Sequence, residues 1–248
     1  LTIPTITPAP GTRFNFAEHL IARNRSHPGK MAYIDDQGSL TYGELAQRIR
    51  RLAGALLASG LRREERVLLL MHDCNDWPVS FLGAMYAGIV PVAVNTLLTV
   101  EDYAHMLKHS RAQAVMVSNA LLPTLLSALE KRDHEVKHVI VSHAQGTLPA
   151  GARRLDSMID AATELAQAAD TGPDDPGFWL YSSGSTGQPK GALHSHANPY
   201  WTAELYATPV LGLTESDVCF SAAKLFFAYG LGNALSFPLS VGATTILM

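Results

Sequence analysis

The chain has 248 residues, 47% of them hydrophobic and 17% charged, the balance of a globular protein able to bury a sizeable core. A formal net charge of −3 leaves no basic footprint for nucleic acid, no apolar run reaches membrane-spanning length, and residues 1–14 lack the basic-then-apolar pattern of a secretory leader. Two cysteines, Cys74 and Cys219, are too few for a disulfide framework and favour a reducing, cytoplasmic setting.

Residues 1–13, rich in Pro and Thr, read as an extended arm. Residues 14–24 make a short helix that stops before Pro28-Gly29, and residues 31–34 and Leu40 flank an Asp-Asp-Gln-Gly turn, the pattern of a hairpin. Thr41 and Glu44 form a capping box ahead of Leu45, Ile49, Leu52 and Leu56, which recur on one helical face until Gly60. An alternation follows, with strands predicted at 67–71, 89–94, 114–117 and 139–141 and helices at 78–86, from Thr99 through Leu107, at 121–129 and, more weakly, at 158–169. Short apolar strands alternating with helices imply an α/β fold with a parallel sheet, covered on both faces and joined by right-handed crossovers. Residues 171–176 (TGPDDP) are the strongest linker candidate. Beyond them come an apolar strand from Phe178, a strand at 192–194, a helix at 199–206, a strand at 218–221 and a helix at 231–239 kinked or stopped at Pro238. The chain starts without Met and stops inside the strand-like run 244–248, so it is expected to be a portion of a longer protein.

Residues 178–191, FWLYSSGSTGQPKG, carry the densest chemistry. An apolar, aromatic strand breaks into Ser182, Ser183, Gly184, Ser185, Thr186 and Gly187, closed by Pro189, Lys190 and Gly191. Glycines let backbone N–H groups turn toward a ligand and form an anion-binding nest, hydroxyls add donors, and Lys190 adds a mobile positive charge suited to a phosphate. A flexible Gly/Ser linker would need neither the buried strand before it nor the Pro-Lys-Gly after it. A Walker A loop is excluded because Lys190 lies three residues past Gly187 and is followed by Gly191; the pattern is not GxGxxG either. His194 and His196, two apart on a strand, have no further Cys or His in a metal spacing and read as structural, with no metal ligand assigned.

The run from Tyr181 to Gly191 resembles, at every position, the phosphate loop of the adenylate-forming superfamily of acyl-CoA synthetases, luciferases and peptide-synthetase adenylation domains. His196-Ala197-Asn198 matches the H-x-N that follows that loop. A second segment, residues 224–233 (KLFFAYGLGN), taken by composition alone, is a core segment with glycine turns. By resemblance it corresponds to the stretch that lines the acyl pocket and the pantetheine route, and its wording is similar to the benzoate–CoA ligase branch. Phe226 and Phe227 stand where many members carry a histidine. Carried over by position, Phe227, Ala228 and Tyr229 would contact an aromatic ring, the small Ala228 leaving room and Tyr229 giving a wall with a polar tip.

The resemblance implies a two-step reaction with ATP, Mg2+ and coenzyme A. An aromatic carboxylate becomes an acyl-adenylate and then the acyl-CoA thioester, with Ser182 to Gly187 and Lys190 serving the ATP phosphates. It further implies an incomplete N-terminal domain of interleaved α/β sandwich subdomains, one made of residues 61–205 and the other begun by residues 14–60 and 218–248. The adenine, ribose and magnesium contacts and the catalytic lysine of a C-terminal domain are expected beyond Met248, so no catalytic residue is assigned within the chain. Two other readings stay open: an adenylating enzyme for a fatty, cinnamic or amino acid, and a non-catalytic nucleotide-binding protein on the same fold.

Overall fold

The computed structural model describes residues 8–182 and 188–248. Helix α1 (Phe16–Asn24) begins where the Asn15 side chain accepts the Glu18 amide at 3.2 Å. Strands β1 (Met31–Asp35) and β2 (Gly38–Thr41) form the expected antiparallel hairpin. Helix α2 (Tyr42–Ala58) starts on the Thr41–Glu44 capping box, in which each side chain satisfies the other's free backbone N–H. The chain leaves it through Gly60 at φ +90°, a left-handed conformation that glycine adopts without strain.

The alternating region then builds β3 (Arg66–Leu70), α3 (Asp76–Tyr86), β4 (Val90–Ala93), α4 (Val100–Ser110), β5 (Ala114–Ser118), α5 (Leu122–Lys131), β6 (His138–Ser142), β7 (Ala152–Arg154), α6 (Leu155–Ala161), β8 (Pro176–Ser182) and β9 (Lys190–Ser195). These seven strands form one sheet in the order β7-β6-β5-β3-β4-β8-β9, parallel throughout except for the antiparallel pair β8–β9. Both faces are covered, which is why the strands are continuously apolar. Val67 and Leu69 enter a core with Leu52 and Leu56 of α2 and Trp77, Phe81 and Met85 of α3. Leu68 and Leu70 enter the opposite core with Tyr103, Met106 and Leu107 of α4 and Leu125 of α5. Each such side chain, fully buried, contributes about 1.5–3 kcal/mol.

The remaining chain supplies α7 (Ala197–Thr202) with a π-helical turn at Ala203–Ala207, β10 (Val218–Phe220), α8 (Ala228–Leu231), a π-helical turn at Gly232–Ser236, α9 (Phe237–Val241) and β11 (Thr244–Ile246). A second, four-stranded sheet has the order β10-β11-β1-β2, so the N-terminal hairpin pairs, through β1 and β11, with strands distant in sequence. Tyr33 of β1 is fully buried, and its hydroxyl donates to the Ala234 carbonyl at 2.9 Å.

Three local expectations change. The helix expected over 158–169 ends at Ala161; beyond it the Leu165 and Ala169 amides donate to the Arg50 and Tyr86 carbonyls, so α2 and α3 capture the backbone that would have continued the helix. Residues 171–176 are tied down rather than free: Thr171 is buried, its hydroxyl donates to the Phe14 carbonyl at 2.9 Å and its own carbonyl accepts the Phe14 amide at 2.7 Å. Pro238 does not stop the last helix. Helical backbone runs on from Ala228 to Val241, and the π-helical turn at Gly232–Ser236 lies directly before the proline, the local irregularity that accommodates its missing N–H.

Candidate functional site

In this sheet the chain passes from β3 to its neighbour β4, then crosses back to β5 on the other side of β3, which makes a topological switch point. Open α/β sheets hold their ligands in the crevice outside the carboxyl ends of the strands at such a point. The switch point itself falls between β3 and β5; a cleft of about 830 Å³, within the size range of small-molecule sites, opens to one side of it, outside the carboxyl ends of β4 and β8. Asn95 and Leu98, just past β4, and Asp102 and Met106 of α4 form one side; Leu180, Tyr181 and Ser182 at the end of β8 and Ala192 and His194 of β9 form the base.

The β8–β9 ladder fixes the frame of the glycine–hydroxyl loop. Ser182 pairs with Lys190 and Tyr181 with Gly191, so the loop closes an antiparallel hairpin. Ser182 and Pro189 line the cleft, and Lys190 is an exposed residue at the first position of β9. Ser183, Gly184, Ser185, Thr186 and Gly187 lie outside the described residues.

The opposite side is Phe226, Phe227 and Ala228, so the two motif segments meet in one cavity. Leu225 and Phe226 are buried and anchor this segment in the core, whereas Phe227 is 46% exposed. The turn before α8 is tight: the Phe227 amide donates to the Lys224 carbonyl, and a Cβ at Gly230 would overlap the carbonyl oxygens of Lys224 and Ala223. Tyr229 is not brought to the cleft. Ala228 and Tyr229 are consecutive on a helix, about 100° apart, and with Ala228 lining the cavity Tyr229 is left 72% exposed.

The polar groups nearby have distinct duties. The Tyr181 hydroxyl sits 2.7 Å from His109 Nδ1, and burial pushes its pKa up, which keeps it a neutral phenol. His194 stacks flat on Phe178, ring centres 4.7 Å apart, and burial lowers its pKa despite the Asn198 hydrogen bond. It therefore presents a neutral, aromatic surface to the cleft. His196, by contrast, is buried away from the cavity, with Nδ1 accepting the Phe16 amide at 3.2 Å; burial lowers it to about 4. Its role is structural, as its spacing suggested. Asp73, after β3, accepts the Leu225 amide on both oxygens at 3.2 and 3.3 Å; burial raises its carboxyl to about 6, opposed by that amide and by Lys224.

Among the described residues no group of three or more His, Cys, Asp or Glu gathers as a metal site. Asp102, a carboxylate of the cleft, is engaged at 3.1 and 2.7 Å by the amide and hydroxyl of Thr99. The described residues therefore do not fit a protein-built magnesium cage, which would need several free oxygen ligands.

Sequence reasoning missed Asn95, Leu98, Asp102, Met106 and His194 as cleft residues. For His194 a signal existed: Ala192 and His194 share a strand face by the period of two. For the others none did, because they reach the cleft through the pairing of β4 with β8, 87 positions apart by the register Val92↔Trp179.

Residues 20–248 match the profile of the AMP-binding enzymes. The chain is 51% identical to a benzoate–CoA ligase of Thauera aromatica over 95% of its length, covering 44% of that protein. It is 56% identical, with a TM-score of 0.87, to a crystal structure of a benzoate CoA ligase from Burkholderia xenovorans, over 95% of this chain and 45% of that one. An anthranilate CoA ligase solved in complex with anthranoyl-AMP superposes with a TM-score of 0.90 at 32% identity, over 96% of this chain and 46% of that one. The chain thus spans less than half the length of each of these three proteins.

Proposed function

From the premise that this chain belongs to the family of AMP-binding enzymes, we propose that its cleft serves the ATP-dependent activation of a benzoate-like carboxylic acid to an acyl-adenylate and then to the acyl-CoA thioester. The observation that carries this reading is the meeting in one cavity of Ser182 and Pro189, which flank the glycine–hydroxyl loop, with Phe226, Phe227 and Ala228.

A carboxylate is a poor acyl donor. In the first step its oxygen bonds to the α-phosphorus of ATP as the bond to pyrophosphate breaks. In the second the sulfur of coenzyme A bonds to the acyl carbon, AMP leaves, and the thiol proton passes to solvent. Positioning and charge neutralisation dominate such chemistry. Ser182, Ser183, Gly184, Ser185, Thr186, Gly187 and Lys190 are assigned to the ATP phosphates, Lys190 as a point charge. Phe227 and Ala228 are assigned to the ring; Tyr229, expected beside them, lies outside the lining of this cavity. Magnesium is proposed only as the companion of the nucleotide's phosphates. The two sheets are taken as the cores of two interleaved subdomains, and a cytoplasmic setting is proposed from the sparse cysteine usage.

The test is a panel of carboxylic acids incubated with ATP, magnesium and coenzyme A and the protein as expressed from its own gene, with pyrophosphate release as the signal. Benzoate and small substituted benzoates should give the highest kcat/KM. Preference for a fatty or amino acid, or pyrophosphate release independent of any acid, would overturn the proposal.

A further inference from the structure

The loop His72–Asp76 at the carboxyl end of β3 is held from five directions. The His72 amide donates to Ser118 Oγ of β5 at 2.9 Å. The Asn75 amide donates to Asp35 Oδ2 of β1 at 2.7 Å, and its side-chain amide donates to the Gly38 carbonyl at 3.2 Å. Asp76 receives Arg48 of α2 at 2.8 Å and Ser142 of β6 at 2.7 Å on its two oxygens. A short loop bonded to five elements, in both sheets and α2, is a fixed point of the fold. From it one side chain, Asp73, reaches the segment that forms the far side of the cleft, and both of its oxygens accept the Leu225 amide. That amide lies one residue before Phe226, which lines the cavity, and three before Ala228.

We propose that Asp73 is a positioning residue for acid binding: it transmits the fixed geometry of the β3 loop to the segment Leu225–Ala228 and so sets the width of the cleft. The inference rests on the reading of this cleft as the acid site. Three features make Asp73 the setting element. Residues 221–227 lie outside regular secondary structure, between β10 and α8, so no strand ladder or long helix fixes their backbone. The segment cannot relax inward, because Gly230 already packs against the Lys224 and Ala223 carbonyls. Leu225 is fully buried, so its amide has no access to water and needs an acceptor from the protein.

The variants Asp73→Ala and Asp73→Asn separate positioning from other roles, since Asn keeps an oxygen acceptor for the Leu225 amide and Ala does not. Amide hydrogen exchange on the ligand-free protein reads the placement without any assay of activity. Asp73→Ala should speed exchange at 224–228 tenfold or more by order of magnitude, with Asp73→Asn close to wild type. With benzoate, Asp73→Ala should raise KM for the acid about tenfold, leave KM for ATP within about twofold, and be rescued by Asn. Unchanged exchange in Asp73→Ala overturns the proposal, as does faster exchange with an unchanged KM for the acid, or equal loss in both variants. If wild type activates no aromatic acid, the proposed function fails instead, and the exchange experiment alone decides whether Asp73 places this segment.

Discussion

The two sides of the cleft are built by different physics. The hairpin side, β8 and β9, is a backbone ladder: residues from Pro176 to Ser182 pair with residues from Ser195 back to Lys190, and Phe178 and Leu180 alternate into the core. Its geometry follows from its own residues. The Leu225–Ala228 side has no ladder. It stands on a buried leucine, a glycine packed against carbonyls and a hydrogen bond to a residue 152 positions earlier. Local order suffices to set the β8–β9 hairpin, whereas the Leu225–Ala228 side of the cleft depends on contacts from the rest of the domain.

That contrast is sharpest for Lys190. Its side chain is exposed, so Lys190→Ala should barely move Tm while lowering the rate of adenylation by about 10²-fold or more, in line with the loss of one preorganised electrostatic contact. Rate assays paired with thermal melts check this; a large fall in Tm with a normal rate would make the hairpin end a structural element only. The other side should respond in the opposite sense. Gly230→Ala forces a methyl onto the Lys224 and Ala223 carbonyls and should cost about 1–3 kcal/mol of stability, read from denaturant unfolding. Ala228→Leu fills the cavity and should reduce kcat/KM for benzoate by an amount equivalent to about 1–3 kcal/mol.

How much of this was legible from sequence follows the same division. The capping box at Thr41 and the strands of the parallel sheet announce themselves through spacing and residue type, because each is decided within a few positions. Asp73 does not: a lone Asp after a strand has many uses, and only the assembled fold puts it against Leu225. Tyr229 shows the converse. The resemblance assigned it a ring contact together with Ala228; in the fold Ala228 lines the cleft, while Tyr229, next on the helical turn, is 72% exposed and outside that lining. The antiparallel turn of β9 was likewise hidden, since a strand's residues do not encode which neighbour it will pair.

Two smaller effects refine the comparison. Asp73 has a folded pKa of about 6 against an ordinary value of 3.8, so between those values the folded protein holds more protons than the unfolded chain. Stability from this group is therefore lost as pH rises through that window, with the Leu225 amide and Lys224 opposing the loss and buried Tyr33 lying close by. Asp73→Asn lacks the titration, so its Tm relative to wild type should climb between pH 4 and pH 7; a difference independent of pH would contradict the assignment. The smallest effect belongs to Tyr229→Ala, which at 72% exposure should change stability by less than about 0.5 kcal/mol and leave kcat/KM for benzoate nearly unchanged.

The central claim is that the two sides form one acid-activating site, and the most direct measurement is a crystal structure of the protein with a non-hydrolysable benzoyl-adenylate analogue. The account predicts the phosphate group against Ser182 and Lys190 and the aromatic ring between Leu180–Tyr181 and Phe226–Ala228, with the Asp73–Leu225 hydrogen bond intact. An analogue bound with its ring outside this cleft, or with its phosphate remote from the β8–β9 hairpin, would contradict it.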